Sequence, residues 1–185
     1  ITSSIYEFSF PKPTGFKFRA GQYLEWMVPH KKSDSRGTRR YFTIVSAPED
    51  AELRLAFKLP EKASSYKNAM INLKAGDVVI GSQRSGDFLL PKNIDEKLGF
   101  IAGGIGVTPF VSHVTSIDAK NERRDIATLY CVASAVDMAY SEKLASAGVL
   151  VPVVGSGELP AGGESGFLSA DIITRRVTDY ASRTW

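Results

Sequence analysis

Ala102-Gly103-Gly104-Ile105-Gly106-Val107-Thr108-Pro109, AGGIGVTP, joins the compact apolar run Leu98 to Ala102 to a segment in which Phe110, Val114 and Ile117 recur at helical spacing. A short apolar run leading straight into a helical pattern reads as a buried strand feeding a helix, the repeating unit of a parallel sheet. Glycines let the backbone pass close to a ligand, Thr108 is placed to cap the helix, and Pro109 suits its first turn, where a missing N–H costs nothing. Free N–H groups at a helix start attract an anion, so the turn reads as a phosphate site. The competing reading is a tight strand-to-helix connection with no ligand. Pro109 stands where the dinucleotide fingerprint G-x-G-x-x-G has its last glycine, and that fingerprint is not met.

Downstream the same alternation continues. Ile126 to Val132 and Val149 to Val154 are apolar runs of the kind covered on both faces, Asp137 to Ala147 reads as a helix stopped by Gly148, and Ile173, Val177 and Tyr180 share a helical face. Strand-helix alternation predicts a parallel sheet with right-handed crossovers. Upstream of Pro91 the period is two residues. Ile5 to Phe10, Gln22 to Val28, Tyr41 to Val45, Glu52 to Phe57 and Asp77 to Ile80 read as short strands between turns rich in Gly, Pro and Asp, with one short helix near Ser64 to Leu73. The expected architecture is two domains: an antiparallel six-stranded β-barrel over 1–93, then an α/β parallel-sheet nucleotide-binding domain over 94–185. The chain begins without Met inside an alternating run and stops at Trp185 after a helical pattern, so the second domain is expected to be truncated at its C-terminus.

Composition bounds the function. Of 185 residues 43% are hydrophobic and 23% charged, which suits a globular protein, and 23 basic against 20 acidic residues give a net charge of +3, too small to argue for nucleic acid. No apolar run approaches the ~20 residues of a membrane helix, so a membrane enters the reading only through a fused segment outside this sequence. The single cysteine, Cys131, permits no internal disulfide; it reads as a small core side chain and suits a cytoplasmic setting or the cytoplasmic face of a membrane. His30 and His113 stand far apart without further ligands at metal spacing, and no metal site is expected.

The second informative stretch is Arg39-Arg40-Tyr41-Phe42-Thr43-Ile44-Val45-Ser46-Ala47-Pro48, with two cations ahead of an aromatic, β-branched run. Strand alternation puts Arg40 and Phe42 on one face and Tyr41 and Thr43 on the other. A guanidinium beside an aromatic plane suits a ligand with an anionic linker and a flat ring, since Arg grips phosphate with its planar fork. A cation-capped edge strand is the plain alternative. Trp26 reads as core, Arg175 and Arg176 as a solvated helix face, and the basic run His30 to Thr38 as a solvated loop or a surface that steers anions.

These residues carry a resemblance. Arg40-x-Phe42-Thr43 followed by Ser46-x-Pro48 resembles the R-x-[YF]-[ST] flavin signature of the ferredoxin-NADP reductase-like superfamily, and Gly104-x-Gly106-x-x-Pro109 resembles its pyridine-nucleotide phosphate loop. Lys62-Ala63-Ser64-Ser65-Tyr66 resembles the second flavin pyrophosphate contact, and Gly86 to Pro91 the segment that closes the flavin domain. The motifs follow in the family's order over nearly the whole chain.

The resemblance implies that Arg40 pairs with the pyrophosphate of FAD, Phe42 lies against the isoalloxazine or ribityl chain beside Tyr41, and Thr43 reaches flavin N5. Backbone groups of Lys58 and Leu59 and of Ser64, Ser65 and Tyr66 would complete that site, with Ser65 adding a hydroxyl donor. Gly103, Gly104, Gly106, Thr108 and Pro109 would line the nicotinamide dinucleotide, NAD(P)H. Ala133 to Asp137 lacks the arginine that often meets a 2′-phosphate, which points to NADH. Hydride transfer from nicotinamide C4 to flavin N5 needs no protein acid or base, so no catalytic residue is named. The implied activity is a flavin-dependent NAD(P)H oxidoreductase module passing electrons to a redox protein or fused redox domain. Two other readings remain: a flavin-binding electron-transfer or regulatory subunit that leaves NAD(P)H alone, and a nucleotide-binding domain without flavin. The family's usual C-terminal motif bordering the nicotinamide is not in this sequence.

Overall fold

A computed structural model describes all residues, 1–185. In the first half β1 (Ile5–Pro11) pairs antiparallel with β4 (Glu52–Lys58), and β2 (Tyr23–Met27) lies between β3 (Arg39–Thr43) and β5 (Ile80–Ser85), also antiparallel. The stretch after β3 closes the corner between the two sheets, with Val45 N–H donating to Arg54 O at 2.7 Å and Ile44 N–H to Gln22 O at 3.0 Å. Helix α1 (Ser65–Ile71) plugs one side. Leu24, Trp26, Ile44, Leu55, Phe57, Tyr66 and Met70 fill the interior, each at most 3% exposed. Burying a side chain of that size stabilises the fold by roughly 1.5–3 kcal/mol.

Five strands form here, where six were expected. The strand expected over Asp77–Ile80 is displaced: β5 starts at Ile80 and continues through Gly-Ser-Gln-Arg-Ser. No residue of β5 is buried, so its sequence carries no alternation to read; it is held at the sheet edge by backbone pairing to β2.

The second half is a parallel sheet in the order β6-β7-β8-β9: β6 (Leu98–Gly103), β7 (Ile126–Ser134), β8 (Val149–Ser156) and β9 (Glu164–Ser165). Thr184 bridges in parallel to Leu98 on the free side of β6. Helix α2 (Thr108–Ala119) covers one face through Phe110, Val111, Val114 and Ile117. Helix α4 (Ala170–Arg176) covers the other, where Ile172 and the following Val177 meet Leu129, Val151 and Val153.

Two expected helices are shorter than their patterns. Asp137 to Ala147 resolves into a 3-10 turn, Ala135–Asp137, and α3 (Ser141–Ser146), and Tyr180 sits in a separate 3-10 turn, Tyr180–Ser182, after α4 has ended. Gly148 fits its place for two reasons: its φ is +155°, and a Cβ there would lie 2.2 Å from Ile126 O.

The halves are joined by more than the linker. Val45 and Ala56 of the barrel belong to the same apolar cluster as α2. Across the seam Ser112 Oγ donates to Ser46 O at 2.8 Å, Tyr140 Oη to Glu7 Oε2 at 2.7 Å, and Lys58 Nζ to Asp137 Oδ2 at 2.8 Å.

Candidate functional site

Ligands of open α/β sheets bind outside the carboxyl ends of the strands. At that end of β6, β7 and β8 lies a cleft of about 780 Å³, with Gly103, Gly104, Ile105, Cys131 and Val132 on the sheet side and Ile5 and Lys58 on the barrel side. Gly104 takes φ +49° as the chain enters a 3-10 turn, Gly104–Val107, which runs into α2 with Pro109 in its first turn. An added Cβ at Gly103, Gly104 or Gly106 would meet nothing within 4 Å, so open space faces the loop backbone. Of the five loop residues named from sequence, Gly103 and Gly104 line the cleft, and Gly106, Thr108 and Pro109 do not. Thr108 makes no cap: it is the first residue of α2, is 6% exposed, and Val107 occupies the cap position without a side-chain bond.

On the barrel, Arg40 and Phe42 share a face as alternation required, and both reach Tyr66: the guanidinium lies 5.3 Å from its ring centroid and the Phe42 ring 5.9 Å. That face turns inward. Phe42 also packs at 5.7 Å on Phe57 and joins the barrel core, so its ring is not an open stacking plane. The exposed aromatic is Tyr41, 66% exposed and edge-on to Tyr23 at 5.7 Å; with Thr43 these two line a shallow hollow of about 390 Å³. Burial raises the phenol of Tyr66, whose hydroxyl has no partner.

Arg40 is closely held. Its Nη1 donates to Arg36 O at 2.8 Å, Gly37 O at 3.1 Å and Arg39 O at 2.6 Å, and its Nη2 to Asp34 Oδ1 at 3.1 Å. Ser65 lies in the same cluster. Its amide donates to Asp34 Oδ2 at 3.2 Å, and its hydroxyl meets Asp34 N at 2.9 Å and His30 Nε2 at 3.0 Å. The run His30 to Thr38 is a surface loop with no buried residue, as expected, but it is tied down through its one carboxylate. Ser64 caps α1 by accepting from Lys67 N at 3.3 Å. The backbone groups expected to serve at Lys58 and Leu59 are engaged: Lys58 O accepts from Lys67 Nζ at 2.5 Å, and Leu59 N–H donates to Ser4 O at 2.7 Å.

The two sets of residues meet at Lys58, which reaches across the cleft to Asp137, itself also accepting from Ser4 Oγ at 3.1 Å. The Lys58 ammonium holds the Asp137 carboxyl below the usual carboxylate range. Sequence reading missed Asp137 and Phe167. Phe167 is 92% exposed at the cleft rim between Gly166 and Leu168, and an aromatic after a glycine in a polar turn was the available signal. Cys131, read as core, is half-buried in the cleft wall, and burial raises its thiol. Arg175 and Arg176, read as a solvated face, both bind Glu164, at 2.8 and 3.0 Å.

No protein-family model matches the chain. It is 31% identical over 134 residues to a flavohemoprotein of Candida albicans, covering 70% of this chain and 31% of that protein, and 26% identical over 170 residues to the NADH oxidoreductase HCR of Escherichia coli, covering 91% and 51%. Among solved structures, the Amycolatopsis cytochrome P450 reductase GcoB superposes with a TM-score of 0.77 at 25% identity, over 96% of this chain and 55% of that one. A ferredoxin NADP+ reductase from Neisseria gonorrhoeae superposes with a TM-score of 0.77 at 20% identity, over 98% and 75%. In sequence the chain is similar to these reductase proteins, and it shares the fold of the ferredoxin-NADP reductase-like structures. Like them it has the two-domain arrangement of barrel and parallel sheet, and it spans 27% to 51% of the length of the first four curated relatives it matches.

Proposed function

We propose that the chain is a flavin-dependent NAD(P)H oxidoreductase module in which the barrel holds FAD and the cleft beside Gly103 and Gly104 takes the nicotinamide nucleotide. One observation carries the reading. An apolar cleft with bare glycine backbone at the strand ends faces, through Lys58, a barrel whose Arg40 already grips an anion, the carboxylate of Asp34. The donor set fits FAD: Arg40 and the Ser65 amide converge on one carboxylate as they would on a phosphate, and the Tyr23, Tyr41 and Thr43 hollow offers an aromatic wall beside a hydroxyl. Bound FAD supplies a two-electron acceptor at N5 that releases electrons one at a time.

The protein's own part is positional. Gly103 and Gly104 admit a phosphate against the backbone, and the apolar walls of Ile105, Val132 and Phe167 exclude water from a flat ring. Lys58 and Asp137 are the only charged residues lining the cleft, and they are paired, so a 2′-phosphate finds no free cation there. This supports NADH over NADPH. The electron acceptor is a redox centre on another protein or a fused domain. Supporting that, relatives are named for haem or cytochrome: the Candida flavohemoprotein, and NADH-cytochrome b5 reductase 1 of Aspergillus clavatus, 29% identical over 121 residues.

The Lys58–Asp137 pair, spanning the cleft wall to wall, favours a second reading, a flavin-binding electron-transfer subunit that leaves NAD(P)H alone. Reconstitution tests both. Flavin that stays with the chain through gel filtration, together with saturable quenching of its fluorescence by NADH, supports the oxidoreductase. Retained flavin with no response to NADH supports the subunit, and loss of flavin on the column contradicts both.

A further inference from the structure

We propose that Asp34 is a built-in anion seated in the phosphate position of the flavin site, and that the loop 30–38 is a strap which the cofactor must displace to bind. The inference rests on the flavin reading of Arg40 given above. Asp34 Oδ1 and Oδ2 lie 3.1 and 3.4 Å from Arg40 Nη2, and Oδ2 also accepts from the Ser65 amide at 3.2 Å. The other terminal nitrogen, Nη1, is spent on the carbonyls of Arg36 and Gly37 in the same loop, and on Arg39 O at the start of β3. Only 15% of the Arg40 side chain is exposed. A phosphate that takes the face of the guanidinium now held by Asp34 therefore replaces the carboxylate. The two anions compete for the same donors.

Polar contacts rather than core packing hold the loop in place. No residue from 29 to 37 is buried, and Lys31, Lys32 and Arg36 project into solvent. Lifting it unpacks no buried residue of the loop itself and breaks polar contacts, the Ser65 hydroxyl's bonds to Asp34 N and His30 Nε2 among them. Its ends stay anchored, because Val28 N–H donates to Thr38 O at 3.1 Å across the base. Gly37, at φ +69°, sits where the loop turns back into β3. The Arg40 donors are thus held closed by the chain's own carboxylate, and filling of the phosphate position is coupled to release of a basic surface loop.

The test compares the cofactor-free full chain as wild type, Asp34→Ala and Asp34→Asn. Each is titrated with FAD by fluorescence quenching and with inorganic pyrophosphate by calorimetry. Removing the competing charge is expected to tighten both ligands by about fivefold or more, a charge-assisted contact discounted for partial exposure. In an Arg40→Ala background the same substitutions are expected to change neither affinity. Asp34→Asn keeps the shape of the side chain, so it decides the case if Asp34→Ala melts early. Wild type binding FAD as tightly as both variants, or more tightly, overturns the strap and leaves the flavin reading standing. If none of the three proteins binds FAD, the flavin reading falls and the strap falls with it.

Discussion

Replacing Arg40 with alanine separates the flavin reading from a purely structural one. In the folded chain the guanidinium ties down three carbonyls and one carboxylate and lies 5.3 Å from the Tyr66 ring centroid. The ion pair is partly solvated, with side-chain exposures of 15% and 30%, and the freed Asp34 can turn to water. The stability loss is therefore modest, on the order of 1–2 kcal/mol, much of it from packing on Tyr66. The effect on cofactor is larger. Losing one charge-assisted contact to a phosphate costs about 1.5–3 kcal/mol, or roughly 10- to 150-fold in the FAD dissociation constant. Arg40→Lys should recover only part of it, because an ammonium has no planar fork. Equilibrium titration with FAD, paired with a thermal melt, reads both quantities. A variant that melts several degrees early yet binds FAD like wild type would refute the phosphate role and leave Arg40 as a strut for the loop.

Other expectations follow from the same geometry. Gly148→Ala should destabilise by more than ~1 kcal/mol, since the new Cβ meets Ile126 O at 2.2 Å in a backbone conformation few side chains adopt; a melting temperature equal to wild type would contradict this. Phe167→Ala should raise the KM for NADH several-fold and leave FAD affinity and melting unchanged, because the ring is 92% exposed and is no part of the core; an unchanged KM would remove Phe167 from the cleft's function. Burial pushes His113 down to about 4, so the folded state prefers the neutral ring. The unfolded chain then binds more protons between its ordinary value near 6.5 and about 4, and stability falls as pH drops through that window by up to ~3 kcal/mol. A pH series of melts on wild type and His113→Gln checks this, and parallel curves would refute it.

Much of the second domain was legible because buried parallel strands advertise themselves. Leu98 to Ala102, Ile126 to Val132 and Val149 to Val154 are all strand, in register and in order. The glycine turn was legible for the same reason, as a break with no side chains between an apolar run and a helical one. The barrel was less so. β5 is exposed along its length, so no alternation marks it, and one strand fewer formed than expected. Face assignment succeeded at Arg40 and Phe42, but alternation says which residues share a face and not which face is interior. Phe42 therefore went to the core and Tyr41 to solvent. Asp34 was hidden among cations, and only the fold brings its carboxylate to Arg40 and Ser65. Asp137 and Phe167 are similarly placed in one cleft by strand order, at separations no local pattern reports.

The proposed reaction requires one chain to hold a flavin and a nicotinamide nucleotide close enough for direct hydride transfer. Anaerobic stopped-flow mixing of the FAD-reconstituted chain with NADH measures this at its source. Loss of the oxidised flavin absorbance is expected in a fast phase that saturates with NADH. An oxidised spectrum unchanged at saturating NADH, in a preparation shown to hold its FAD, would contradict it.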